Sequence, residues 1–382
     1  MKDVATMKQA DGRISALDGM RAIAALRVVV WHVTGWALAT WLVSAIPAMF
    51  FVTGALLMRS FEKRSWQSIL WTRLRRLIPP VVLYGGFVLV LSHAYGASTS
   101  NPLTFLIPVV SPHSDLGGGW FTSALWYVSA YIWVLLLSPV LASAARMFGI
   151  AAVLAGALLV VVQSQFGGLV GAGSWALGDV VLYSTCALAG MSWSVSGGRN
   201  RIPLLAVAAA SATLAGLWVM MHRPESGIVN DDHVLHMLVG AAWTAVLLSG
   251  APLLAGFAAS RVAIFINSRP LTIYLWHPAV AWTIWHLVPG RIQGVMAPIL
   301  AVAGTFAVLP FAVWCTGFLE KPDAIGRRLR LAGLRVGMVL LVPVMMNVPV
   351  VASRFDPFAA PNGDILPPSA APKKSEIGRA HV

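Results

Sequence analysis

Long uninterrupted apolar runs set the strongest constraint on what this chain can become. A helix needs about 20 apolar residues to cross a hydrocarbon core. Reading runs and breakers along the 382 residues gives eleven candidates: about 17–39, 43–58, 77–94, 121–141, 149–165, 177–194, 202–221, 234–254, 271–288, 297–319 and 332–351. The expected fold is therefore an all-α polytopic membrane helix bundle, a ten-span core followed by an eleventh, C-terminal span. Only 11% of the residues are charged and 58% are hydrophobic. Soluble domains carry roughly 25% charged residues, so both a soluble enzyme and a disordered chain are excluded.

The net charge of +13 is spread over short loops rather than gathered into a nucleic-acid-binding patch. With the N-terminus inside, the loops carrying Arg59 to Arg76, Arg146, Arg199 with Arg201, Arg261 with Arg269, and Lys321 to Arg335 all fall in the cytoplasm. Most of the 27 Lys and Arg then lie on that side, as the positive-inside rule requires. The expected location is the cytoplasmic (inner) membrane, and no nucleic-acid partner is implied. The first run carries Asp18, Arg21, Arg27 and His32, which a cleavable signal would not, and reads as a retained span. Cys186 and Cys315 lie in separate apolar runs without metal-ligand or disulfide spacing and read as core.

Three places combine polar side chains with helical geometry. In the first span, eleven steps of 100° bring Arg21 and His32 to about 20° apart on one face, roughly 16 Å along the axis. Asp18, about 60° from Arg21, can orient its guanidinium. Ionisable residues inside a span cost a few kcal/mol, so this stripe points to a water-accessible or substrate-lined cavity, against the plainer reading of a packing histidine. Arg27 leaves the stripe and reads as an arginine paired with another helix.

The loop after the second span reads WQSILWTRLRRL, with Trp66, Ile69, Leu70, Leu74 and Leu77 at helical spacing, and is expected to form an interfacial amphipathic helix. Arg75 falls opposite Trp66, whereas Arg73 falls beside it and Arg76 at the edge of the apolar face. There a guanidinium needs an anionic partner, such as a headgroup or nucleotide phosphate. In the ninth span, LTIYLWHP, Tyr274 and His277 stand one turn apart, and Pro278 removes the amide that would bond the carbonyl of Tyr274. A kinked packing helix is the alternative there. The sequence carries no Walker loop, GxSxG elbow, HExxH pair or Asp-rich metal motif, so neither nucleotide hydrolysis nor a metal is expected.

Taken in order, LDGMRAIAALRVVVWH, MFFVTGALL, RLRRLIP, ALWYVSAYIWVLLLSP, LTIYLWH and EKP, from Ser15 to Pro322, resemble the acyltransferase 3 family of integral membrane O-acyltransferases. The resemblance implies ten core spans and transfer of an acyl group, often acetyl, from cytoplasmic acyl-CoA to an exported carbohydrate or glycolipid, or to a small molecule such as a macrolide. Acyl-CoA is then a donor substrate and no cofactor is permanently bound. His32 matches the essential first-span histidine and Arg21 its motif partner. Arg73 and Arg76 match the RxxR pair, taken as the acyl-donor-binding residues, with Asp18, Tyr274, His277 and Glu320 in support. His32 could act as general base on the acceptor hydroxyl or take the acyl group itself, and the sequence leaves both open.

The implied organisation is a cytoplasmic N-terminus (1–16), the membrane domain (17–322), a basic loop and eleventh span (323–351), an extracytoplasmic linker (352–375) and a tail, 376–382. EIGRAHV in that tail looks like a translated sequencing adapter and is set aside from fold reasoning. Thr53 replaces a serine common in relatives, a mild change. The eleventh span and outward linker are compatible with a truncated fusion to a missing C-terminal extracytoplasmic SGNH-type domain and equally with a short natural tail. The competing function is a transporter or flippase of a lipid-linked or amphipathic substrate, using the polar stripe as a passage.

Overall fold

The computed structural model describes residues 2–166, 174–197, 203–223, 227–287 and 295–320. The expected eleventh span, the basic loop from Lys321, the linker and the tail lie outside the described residues. The first half of the chain forms α1 (Lys2–Thr34), α2 (Ala37–Trp41), α3 (Ala45–Phe61), α4 (Trp66–Ala94), α5 (Pro102–Leu106), α6 (Leu125–Phe148) and α7 (Ile150–Phe166). The second half forms α8 (Ser174–Val195), α9 (Leu204–His222), α10 (His233–Ser249), α11 (Ala251–Ala258), α12 (Arg261–Ser268), α13 (Pro270–Leu287) and α14 (Met296–Thr316). Among the described residues the one β pairing is an isolated bridge between Thr99 and Ser114. Five helical segments are long and apolar enough to cross a membrane, or six if the bent pair α10 and α11 counts as one. The protein is an all-helical, multi-pass membrane protein.

Three boundaries differ from the pattern in the sequence, each for a local reason. The first apolar run does not continue as one helix to residue 39: α1 stops at Thr34, and Gly35 takes a left-handed conformation (φ +63°) while its amide closes on the Trp31 carbonyl at 2.8 Å. This is a glycine helix stop. The expected separate amphipathic helix is instead the first part of α4, which starts at the Ser65 N-cap and runs unbroken through Pro79 and Pro80. The run expected at 234–254 breaks at Gly250 into α10 and α11, which meet at 78°, with Pro252 in the first turn of α11, where a missing amide costs nothing.

Small residues let some of these helices approach backbone to backbone. α3 and α8 pack in parallel, with Phe50 stacked on Tyr183 at 4.6 Å and Leu57 and Met58 sharing a cluster with Leu188 and Met191. A Cβ on Gly54 would lie 1.9 Å from the Ala187 carbonyl oxygen, and one on Gly190 would lie 1.9 Å from that of Phe51. Only glycine fits both positions. The largest buried cluster joins α1, α4 and α13 around Val29, Tyr84 and Trp276. Residues 95–124 fold over one end of it: the Tyr84 hydroxyl donates to the Phe121 carbonyl at 2.8 Å, and Phe121 packs on Trp282 at 5.4 Å.

Candidate active site

Hydrogen bonds at two different heights hold α1 against α13 and the helix before it. At one height, Arg21 Nε donates to Asn267 Oδ1 at 2.8 Å and Arg21 Nη2 to Asp18 Oδ1 at 3.0 Å. Asn267 Nδ2 returns a bond to the Asp18 carbonyl at 2.9 Å. At the other height, Trp285 Nε1 donates to the Val33 carbonyl at 2.7 Å. Residue numbers rise together along both helices, so α1 and α13 run parallel. Side chains between the two ties are thereby set in register.

The imidazoles of His32 and His277 meet in this interval, ring centroids 4.7 Å apart and edge to face at 70°. Each Nδ1 faces a carbonyl one turn back, Val28 at 2.9 Å for His32 and Ile273 at 3.3 Å for His277. A carbonyl can only accept, so in the neutral rings both protons sit on Nδ1 and both Nε2 atoms keep a lone pair. His32 retains partial exposure, while His277 is fully buried and its Nε2 has no hydrogen-bond partner. Pro278 lies inside α13 and supplies no amide to the Tyr274 carbonyl, leaving that acceptor beside the His277 ring.

Other unsatisfied groups flank the pair. The Tyr274 hydroxyl, Trp31 Nε1 and Arg27 Nη2 are buried without hydrogen-bond partners. The Trp31 ring lies 4.5 Å from His32, the Tyr274 ring 5.5 Å from His277, and the Arg27 guanidinium carbon 5.9 Å from the Trp31 ring. Native interiors leave few polar groups unpaired, and each calls for a physical reason. Four of the buried unpaired polar atoms thus gather around one partly exposed imidazole. Among the described residues no group of three or more His, Cys, Asp or Glu side chains could hold a metal ion.

The remaining sequence candidates stand apart from this pair. Glu320 accepts the Thr272 amide at 2.6 Å, satisfying an orphan donor at the start of α13; it positions the helix that carries His277. Arg73 is half-buried, but Arg76 is exposed, as is Arg75, so Arg76, which the helical wheel set at the edge of the apolar face, lies on the uncovered side. Tyr84, farther along α4, packs on Trp276 at 5.2 Å, the neighbour of His277. At 1.5 Å per residue Arg76 and Arg73 lie about 12 and 16 Å along α4 from that level, toward the end at which Arg21 is found on α1. Arg27 pairs with another helix, as its place off the stripe implies: its Nε donates to the Ala39 carbonyl in α2 at 2.9 Å.

Sequence reading missed Asn267 and Trp285. Asn267 is an amide after the apolar stretch VAIFI of α12, a signal of an interhelical partner, although nothing in the sequence says that the partner is Arg21. Trp285 reads as one more aromatic among many.

The acyltransferase domain model of the acyltransferase 3 family matches residues 14–317. Neither a curated protein nor a solved structure matches the chain. The matched region takes in the ties from α1 to α12 and to α13 and the histidine pair, with Glu320 just beyond it. A match over most of the chain, on a bundle of apolar helices, shows that this chain is a membrane acyltransferase belonging to the acyltransferase 3 family.

Proposed function

We propose that the protein moves an acyl group, acetyl by expectation, from cytoplasmic acyl-CoA to a hydroxyl of an exported carbohydrate, glycolipid or small molecule such as a macrolide. The observation that carries this reading is His32, an accessible imidazole with an unengaged Nε2, set inside the bundle and held in register with a second histidine. An imidazole with a free lone pair and a fixed tautomer is suited to take a proton from a hydroxyl or to attack a thioester. Arg73 and Arg76, one turn apart near the start of α4, supply guanidinium groups for the phosphates of coenzyme A. Their distance along α4 from the level of Trp276 is one that the extended pantetheine arm can largely cover. Donor charge and reacting carbonyl are thus separated as the ligand separates them.

Arg21 has a supporting part in this scheme. Two of its donors are committed to Asp18 and Asn267, and its work is to fix α1 so that His32 stays opposite His277. The ten-span core, the inner-membrane location and the cytoplasmic N-terminus belong to the same proposal, resting on the basic loops. Purified protein in nanodiscs, given acetyl-CoA and assayed for free thiol, tests it. Release of CoA that requires His32 supports acyl transfer. Binding of an amphipathic substrate with no thioester consumption would favour the transporter reading.

A further inference from the structure

We infer that His32 and His277 divide the reaction: His32 Nε2 carries the acyl group as a covalent intermediate, and His277 Nε2 takes the proton of the acceptor hydroxyl. The inference rests on the acyl-CoA reading above and goes past it, since that reading leaves the base and the covalent route open and gives His277 no chemistry.

The geometry argues for two roles rather than one. The two rings are 4.7 Å apart, and both tautomers are set the same way by backbone carbonyls. Both Nε2 atoms therefore offer a lone pair, and neither ring can hydrogen-bond the other through Nε2 without a proton arriving from outside. A histidine kept only for packing would have its second nitrogen paired or replaced by carbon, because a buried acceptor left unmade costs stability. The difference in burial assigns the order. His32 is the more accessible ring and meets the donor; His277 is fully enclosed and is suited to a proton, which needs no room.

In the first half-reaction His32 Nε2 attacks the thioester carbonyl, the C–S bond breaks and coenzyme A leaves as the thiolate. The Nδ1–H stays on the Val28 carbonyl, where it stabilises the acyl-imidazolium. In the second, the acceptor oxygen attacks the acyl carbon, its proton passes to His277 Nε2, and the C–N bond to His32 breaks. His277 then returns the proton, which neutralises the thiolate, so acyl-CoA and alcohol give ester and CoA thiol with no net proton change. A hydroxyl attacking an acyl group on His32 must come within bonding reach of that ring, and a ring 4.7 Å away is near enough to accept the proton.

The test separates the half-reactions. Without any acceptor, a covalent acyl-His32 makes the enzyme exchange isotopically labelled CoA into unlabelled acetyl-CoA. Transfer to hydroxyls is measured with water and molar glycerol as probes, by acetate and acetylglycerol formed. Wild type is expected to do both and His32→Ala neither. His277→Gln, which can still donate to the Ile273 carbonyl, is expected to keep exchange within about threefold and lose transfer by roughly 10²–10⁴-fold, the usual yield of a general base. His277→Asn, with thermal unfolding of both variants, guards against a fold effect. Loss of exchange together with transfer in well-folded His277 variants overturns the division of labour, as does full transfer without His277. So does wild type that exchanges CoA but acetylates neither probe. Wild-type transfer without exchange removes the covalent intermediate while leaving the acyltransferase reading intact; absence of both exchange and thioester consumption sinks the acyl-CoA reading itself.

Discussion

Replacing Asn267 by alanine removes both hydrogen bonds that join α1 to α12, the one accepted from Arg21 Nε at 2.8 Å and the one donated to the Asp18 carbonyl at 2.9 Å. On the scale of soluble proteins, a bond to a charged group at about 1.5–3 kcal/mol and a neutral one at about 1 kcal/mol would sum to roughly 2.5–4 kcal/mol. Inside a membrane the unfolded helices stay inserted and find other partners, and interhelical bonds average only about 0.6 kcal/mol, with a maximum near 1.7. The membrane scale governs here, so the expected loss is about 1–3 kcal/mol. The Asp18–Arg21 pair, three residues apart on one helix, survives. The kinetic effect should exceed the thermodynamic one, because Asn267 fixes the register of His32 against His277: a misplacement near 1 Å costs on the order of 10²-fold. We expect kcat for acyl transfer to fall by about 10- to 100-fold with acyl-CoA affinity unchanged, since Arg73 and Arg76 are on α4. Arg21→Lys keeps the charge beside Asp18 but loses the Nε donor and should fall between. Denaturant unfolding in detergent micelles and steady-state kinetics in nanodiscs give both numbers. Wild-type kcat in a measurably destabilised Asn267→Ala would refute the registering role, and so would weakened donor binding as its main effect.

Three further outcomes are expected. Arg73→Ala and Arg76→Ala should each weaken acyl-CoA binding by about 1.5–3 kcal/mol, whereas Arg75→Ala should change it little; titration with a fluorescent CoA derivative checks this, and equal losses at all three positions would reduce the loop to a basic surface. Gly190→Ala forces a Cβ against the Phe51 carbonyl and should destabilise by about 1–3 kcal/mol through overpacking, seen as a lower melting temperature in detergent. Glu320→Ala strips the cap from the start of α13 and should cost about 1–2 kcal/mol with some loss of kcat, while Glu320→Gln, which still offers an oxygen to the Thr272 amide, should retain most of both.

What the sequence makes legible follows the range of each interaction. Asp18, Arg21 and His32 share one helix, so a 3.6-residue period is enough to align them, and the same holds for Tyr274, His277 and Pro278. The Arg21–Asn267 bond spans 246 positions, and the His32–His277 contact joins the first apolar run to the ninth. Neither distance is encoded in a local pattern; packing of the whole bundle decides it. Continuity of α4 through two prolines was unreadable for a different reason. Proline removes an amide bond locally, but surrounding helices in a membrane can make up the loss. The exposure of Arg76 shows the limit of a helical wheel, which ranks faces without knowing which one the neighbours cover.

In the proposed mechanism acyl transfer runs through the His32 imidazole. Its most direct test is acyl transfer from acetyl-CoA by His32→Ala and His32→Gln in nanodiscs, with insertion and melting shown to match wild type. One neutral ring adds little to insertion, so both variants should fold, and both should lose turnover by at least about 10²-fold, since glutamine keeps hydrogen bonding without a basic or nucleophilic nitrogen. Turnover by His32→Gln near the wild-type rate would contradict the account, because it would leave His32 a packing residue and the chemistry elsewhere in the bundle.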